Sequence, residues 1–481
     1  MTRPLDRRAA LRLFAASGLG LGLAACAGPG GGSSGTDSGS SPSALATSGT
    51  VKGTVSFAHW RAEDKAVIAG LIKAFVKKYP DAGVDQDISP SADYQSTALR
   101  RIQGSKTGDL FTAFRGAQFE QIVKAGVYAP LTGADVVGKY QASLITPGAT
   151  KGVQYGLPYQ LVFNMPLANT DALDKAGHTS APTDWDGFLK LLDDLKSKGY
   201  TPIAWPGGDT ANAGQLLNTM VMNNAPSDDM FTKIESGEYK VTDDWFLKTL
   251  EQYGELTPYF QARATGSTTD AVTQLFAEGK AGLLAVGSFQ MAGVRALGAK
   301  FPFDLVAPIT TTAAKAKYQG VFNTTFILGV NSASKVQPAA YAFLEFLSDP
   351  ANAGTYANGT GQHVTVQGVF NTTFILGVNS ASKVQPAAYA FLEFLSDPAN
   401  AGTYANGTGQ HVTVQGVDYT NKDLKAVAPW LTKKTLLAPR FQFLDLDIRT
   451  AVENAAVAVV GGKKPAQAAE EAQRVIDQKR S

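Results

Sequence analysis

The chain has 481 residues, of which 44% are hydrophobic, with 43 basic and 41 acidic side chains, one cysteine and four histidines. A near-neutral balance argues against a nucleic-acid ligand, whose phosphates need clustered Lys and Arg. One cysteine excludes a disulfide framework, and four histidines leave little for a metal cluster, so no cofactor and no metal is expected.

Residues 1–26 read as an export signal. Arg3, Arg7, Arg8 and Arg12 make a basic opening, residues 13–25 are apolar or small, and Cys26 follows Leu23-Ala24-Ala25. The apolar run is too short to span roughly 30 Å of hydrocarbon as a helix. The small residues before Cys26 resemble a lipobox, in which the thiol is acylated and becomes the new N-terminus. The Arg7-Arg8 pair resembles a twin-arginine signal, which leaves twin-arginine and general secretory export both open. Taking away residues 1–25, with four arginines and one aspartate, turns a formal charge of +2 into −1. Residues 26–50 are nearly all Gly, Ser, Ala, Thr and Pro and read as a flexible tether, because they bury too little apolar area to offset ordering entropy.

From Val51 the pattern is that of a folded body. A strand is predicted at 51–57. Val67, Ile68, Leu71, Ile72, Phe75 and Val76 lie at helical spacing over 65–78. Strands at 84–88 and 110–114 alternate with helices at 94–103 and 117–125, the last stopped by Gly126. A second set follows: helix 185–198, strand 201–205, helix 271–277 and strand 281–286. Helices at 447–460 and 465–478 end the pattern. Alternating strand and helix argues for parallel sheets covered by helices, and the length for two α/β lobes.

Residues 319–369 and 367–417 are identical at a period of 48, and Gln-Gly-Val stands at 319, 367 and 415. Solenoid repeats drift in sequence and need several stacked units; this repeat does neither. Recombination between the short matches generates such a chain, as does a misassembled read. Each copy offers a strand (325–330 in the first) and a helix (339–347) opened by Pro338 at a permitted first-turn position. That helix is apolar on nearly every face and expects burial. One lobe has room for one unit, so either 319–366 or 367–414 is surplus.

Ligands of open parallel sheets sit beyond the carboxyl ends of strands. Those ends carry Trp60-Arg61, Phe114-Arg115, the stretch 205–209 and Gly287 to Phe289. Aromatic walls with a few polar groups describe a small-molecule pocket, and flat rings suit the apolar faces of sugars. Trp185 and Trp245, near predicted helix starts, read as packing, and His59 reads as structural.

The order of segments resembles the extracellular solute-binding proteins of family 1, the substrate-binding lipoproteins of carbohydrate ABC importers. Gly156-Leu157-Pro158-Tyr159 and Asn164-Met165-Pro166 look like that family's crossing between lobes. Pro182 to Phe188, with Thr183 and Asp184 at the capping position, resembles its helix start. Phe276-Ala277-Glu278-Gly279-Lys280-Ala281 through Gly287-Ser288-Phe289 is similar to another of its segments. So are Ser334-Lys335 through Phe346-Leu347-Ser348-Asp349-Pro350, and the ending Ala468-Ala469-Glu470-Glu471-Ala472.

The resemblance implies an α/β chain of the type II periplasmic-binding-protein fold, two lobes with a hinge and an interlobar cleft. Lobe 1 is expected at 51–160, with 324–366 returning to it, and lobe 2 at 161–318, with 418–481 returning to it. It implies Trp60, Arg61, Glu63 and Arg115 as ligand-binding residues of the first lobe. Trp205, Asp209, Asn212, Phe289, Arg440 and Asp445 follow from the second. Surface charge remains open for Arg115 and Arg440, and helix capping for Asp445. Phe289 stands where the family often has Trp, which favours a small or very polar ligand.

The function implied is capture of a sugar or polyol without chemistry and delivery to a membrane permease with its ATPase. The protein is expected to be a monomer held at the membrane by lipid on Cys26. A secreted glycoside hydrolase or esterase is the alternative, although no G-x-S-x-G, H-E-x-x-H or phosphate-loop motif occurs. A binder of amino acids or peptides, with Arg115 or Arg440 clamping a carboxylate, is a further one.

Overall fold

A computed structural model describes residues 45–103, 107–360, 362–366, 430 and 433–480. The signal 1–25, Cys26, residues 26–44 of the tether and the second repeat copy at 367–414 lie outside the described residues.

The chain opens with β1 (Gly53–His59), β2 (Ala82–Ile88) and β3 (Leu110–Ala113), separated by helices Lys65–Lys78 and Ser91–Gln103 and followed by Ala117–Lys124. Helix Lys65–Lys78 buries Ile68, Leu71 and Phe75, the stripe that its apolar spacing requires. A small hairpin, β4 (Ala149–Thr150) and β5 (Val153–Gln154), precedes β6 (Leu157–Phe163). The chain then crosses to β7 (Leu167–Asn169), β8 (Thr201–Ala204), β9 (Ala281–Leu284) and β10 (Phe303–Leu305). It returns through β11 (Gly320–Val330), β12 (His363–Val364) and β13 (Thr435–Leu437), and helices Leu446–Val460 and Pro465–Arg480 follow.

Two sheets result. The first runs β12-β6-β11-β3-β1-β2, with β13 also paired to β11, and the second runs β10-β7-β9-β8. Both are mixed, a departure from the parallel sheets expected. β1 lies parallel to β2 and β3, and β8 parallel to β9, but β11 is antiparallel to β3 and β6, and β7 to β9 and β10. Parallel neighbours need a crossover of a dozen or more residues within one lobe. β6 leaves for the second lobe and β11 arrives from it, so neither is bound by that rule.

Each sheet has its own core. Phe57, Phe75, Phe111 and Phe343 lie in the first, and Leu191, Trp205, Phe246 and Val452 in the second. Phe326 belongs to the first core while Phe163, Met165 and Val321 belong to the second, so β6 and β11 physically join the two lobes. In the first repeat copy, helix Gln337–Leu347 buries every residue from Ala339 to Leu347 except Glu345, as its composition demands. No helix among the described residues is long and apolar enough to cross a membrane.

Candidate functional site

A cavity of about 650 Å³ opens between the two sheets. Its first-lobe wall comes from the ends of β1, β2 and β3: Trp60 to Glu63, then Ile88, Pro90 and Ser91, and Phe114. Its second-lobe wall comes from Asp209, Asn212, Gln215, the 268–270 helix start and the 289–290 turn. The linking strands supply the floor, and there the period of two is plain. Gln160, Val162 and Asn164 alternate along β6 into the crossing, and Asn323 and Thr325 alternate along β11. Asn323 pairs with Val162 and Thr325 with Gln160 across the ladder.

Trp60 is held flat. Its ring stacks on Phe114 at 3.8 Å and 18°, and Phe326 meets it edge-on at 5.1 Å. Phe326 does so from a left-handed backbone, φ 55°, which is strained for any residue with a Cβ. Phe289 and Phe441 add two further rings to the lining.

Beside Trp60 lies an ion cluster. Arg61 is 2% exposed and Asp64 fully buried. Arg61 donates from Nε to Asp64 Oδ2 at 2.7 Å and from Nη2 to Asp64 Oδ1 at 3.0 Å, while Nη1 lies 2.7 Å from Glu63 Oε1. Tyr356 donates its hydroxyl to Asp64, and Gln160 donates to the same carboxylate. Burial alone would lower the guanidinium pKa, but Asp64 and then Glu63 outweigh it and hold it above its ordinary value. The Glu63 carboxyl is pushed up by loss of hydration, against the pull of Arg61 and with the repulsion of Asp64. Directly behind, His59 is fully buried and accepts the Arg61 backbone N–H on Nδ1 at 3.1 Å, which leaves Nε2 to donate to Gln86 Oε1 at 3.2 Å. Burial depresses its pKa to about 4, so the ring is neutral and structural.

The opposite wall is a network of neutral donors around one carboxylate. Asp209 Oδ2 accepts from Thr269 Oγ1 at 2.7 Å and from Asn212 Nδ2 at 3.1 Å. Asn164 Nδ2 donates to Gln215 Oε1 at 2.8 Å, which turns Asn164 Oδ1 the other way. Asn164 Oδ1 and Thr325 Oγ1, both on cavity-lining residues, are buried without a hydrogen-bond partner. Leaving such a group unmade costs about 1–3 kcal/mol each, a cost that a polar ligand removes.

The description "bacterial extracellular solute-binding protein" matches residues 60–354. The chain belongs to that family. A probable sugar-binding periplasmic protein of Brucella suis biovar 1 (strain 1330) is 30% identical over 123 residues, 25% of this chain and 28% of the relative. The match thus spans little more than a quarter of that relative's length. A chitin oligosaccharide binding protein superposes with a TM-score of 0.67 at 19% identity, over 89% of this chain and 98% of its own. The solute receptor AcbH, with an exclusive preference for β-D-galactopyranose, gives 0.68 at 17% identity, over 89% and 99%. These likenesses show the type II periplasmic-binding fold.

In this solute-binding protein the ten residues named from sequence divide. Trp60, Arg61, Glu63, Asp209, Asn212 and Phe289 come together around the cavity. Trp205, Arg115, Arg440 and Asp445 do not line it. Trp205 turns back into the second core, fully buried, stacked on Phe260 at 4.9 Å with Nε1 donating to Ala213 O. Arg115 lies behind Asn323, donating to its Oδ1 at 3.4 Å and to Ala438 O at 3.2 Å, and burial lowers its pKa to about 10. Arg440 is spent on Glu453, with Nε 2.7 Å from Oε1. Asp445 caps helix Leu446–Val460, accepting from Asp447 N at 2.7 Å and Ile448 N at 3.0 Å. Sequence reasoning missed Gln160, Asn164, Asn323 and Thr325. Gln160 and Asn164 stand four apart with Val162 between them, and Asn323 and Thr325 flank Thr324, so no local polar period singles them out.

Proposed function

We propose that this protein captures a sugar or polyol between its lobes, without transforming it, and delivers it to the membrane permease of an ABC importer. The observation that carries the reading is the interlobar cavity itself. It has a stacked Trp60–Phe114 face, flanking amides and carboxylates, and two buried polar atoms on its floor without partners. Flat rings suit the apolar face of a pyranose, and the amides and carboxylates its hydroxyls. The sugar-binding relative and the sugar-binding structural neighbours support the same substrate class. Closing on the ligand would shift the population of the two-lobe body toward one form, the signal a permease reads.

Attachment to the membrane through lipid on Cys26 and a monomeric state belong to the same proposal. Thermal-shift and calorimetric titration over monosaccharides, disaccharides and sugar alcohols tests the binding reading. A saturable stabilisation by at least one member with unchanged ligand on recovery is expected, and either silence across the panel or cleavage of the ligand refutes it. Mass spectrometry of the membrane-extracted N-terminus tests the anchor, with diacylglyceryl on Cys26 the expected mass.

A further inference from the structure

We infer that Arg61 is a clasp between the lobes rather than a contact for the solute, and that it sets how much of the protein is closed before solute arrives. The inference rests on the proposed function only for its affinity readout. A guanidinium has five N–H donors and no acceptor. In Arg61 four hydrogen bonds use them, two to Asp64 and one from each Nη to the carbonyl oxygen of Phe289 at 3.2 Å, and Nη1 is also ion-paired with Glu63 Oε1 at 2.7 Å. Although Arg61 lines the cavity, its fork is committed to protein groups, with the Nη1 side held by the Glu63 carboxylate.

The two ends of this contact belong to different lobes. Arg61 follows β1 and is fixed by Asp64, itself held by Tyr356 and Gln160 of the first lobe. Phe289 follows β9 and packs with the second core. The turn that carries it is met at two more points, one on the linking strand β6 and one beside β12 of the first sheet. Phe163 N donates to Ser288 Oγ at 2.9 Å, and Gln362 Nε2 donates to Ser288 O at 3.2 Å. A rigid charged fork therefore reaches from one lobe to a backbone acceptor of the other. A backbone carbonyl cannot be removed by any side-chain change at 289, so the clasp is tuned from the arginine side alone.

A residue acting this way changes apparent affinity through the closed fraction, and by one factor for every solute. A residue touching solute changes affinities by different factors for solutes that differ at the contacted hydroxyl. Arg61→Lys keeps a positive charge beside Asp64 and Glu63 but loses the fork. The double change Arg61→Met with Asp64→Asn removes both charges together and serves where the single variant folds poorly. Ligand-free protein carrying one dye on each lobe is read by single-molecule energy transfer, and binding is titrated over sugars and their single-deoxy analogues.

The expected result is a shift of the ligand-free distribution toward larger separation, with affinity falling about tenfold and by the same factor across the panel. An unchanged ligand-free distribution overturns the proposal, whether affinity holds or falls selectively for certain hydroxyls. If no sugar binds the parent protein, the functional reading fails while the ligand-free distances still decide the clasp.

Discussion

Two buried arginines, one at the interlobar cavity and one inside the second lobe, are paired in opposite ways. Arg61 shares two carboxylates, Asp64 and Glu63, and reaches across to the other lobe. Arg440 shares one carboxylate, Glu453, with a second buried guanidinium, Arg449, whose Nε lies 3.8 Å from Oε1. The first cluster carries a surplus of negative charge at the cavity edge. The second carries a surplus of positive charge wholly inside the second lobe, where burial lowers the Arg449 pKa to about 10 despite Glu453. A charge cluster within one lobe is exposed to solvent only on unfolding. A cluster with one contact across the cleft is exposed in part each time the lobes separate. The same residue types thus serve stability in one place and conformational balance in the other.

The largest expected effect breaks the second cluster. Glu453→Gln removes the carboxylate that Arg440 and Arg449 share, both at most 5% exposed. Taking one partner from a buried ion pair costs about 3–5 kcal/mol, because the remaining charge stays buried without compensation. Denaturant melts are expected to show that loss, with solute affinity of the folded fraction within a few-fold of the parent. A near-normal melt with a large affinity change would erase the contrast between the clusters.

The next effect sharpens the first cluster through pH. His59 is depressed from 6.5 to about 4 in the folded protein. Between those values the unfolded chain binds a proton that the folded chain refuses, so this stability is complete above about pH 6.5 and drains away as pH falls toward 4. From pH 7 to pH 5 the loss is about 2 kcal/mol. Glu63 works in the opposite sense, since its raised carboxyl favours the folded state at lower pH. Chemical denaturation of the parent and of His59→Gln at the two pH values separates them. The variant is expected to lose about 2 kcal/mol less than the parent, and equal slopes would show that the imidazole is not the titrating group.

How much of this was legible in the amino-acid order depends on which physical signal each residue carries. Helix Lys65–Lys78 was readable because its apolar residues repeat at helical spacing, and helix Trp185–Ser197 because Asp184 stands at its N-cap and accepts from Gly187 N. Trp60 and Arg61 were readable because they follow a parallel strand, where ligands gather, and Glu63 only through the family resemblance. β6 left no such trace: Pro158 and Gln160 interrupt its apolar run. β11 was expected only from residue 325, although its earlier half pairs with β6 and β13. Those two strands join the lobes, so their polar faces follow the cavity rather than any local pattern. Trp205 marks the limit of the strand-end argument. It ends β8 as expected, but position at a strand end does not decide whether a side chain turns toward the cavity or back onto Phe260.

A smaller effect separates the floor of the cavity from both clusters. Thr325→Val keeps the shape of the side chain and deletes a buried hydroxyl that has no protein partner. No folded-state hydrogen bond is lost, so the ligand-free melt is expected to hold or rise. The affinity for the solute is expected to fall about threefold to tenfold, the worth of one hydrogen bond. A drop in ligand-free stability of more than about 1 kcal/mol would mean that the hydroxyl serves the fold instead.

The smallest expected effect concerns the duplication. Deleting 367–414 joins Val366 to Gln415, so the chain reads on through the same Gln-Gly-Val that follows Val366 in the full sequence. The first copy already supplies β11, helix Gln337–Leu347 and β12, and through Asn323 and Thr325 part of the cavity floor. Counted as chain length alone, the connection from Val366 to Trp430 shortens by about two doublings, a gain of about 1 kcal/mol from the lower cost of closing it. The deletion variant is therefore expected to melt in one cooperative step, slightly above the parent, and to bind the same solute with affinity unchanged within a factor of about two. A variant that melts well below the parent would show that the second copy carries weight in the folded body, and the one-unit reading of the first lobe would fall with it.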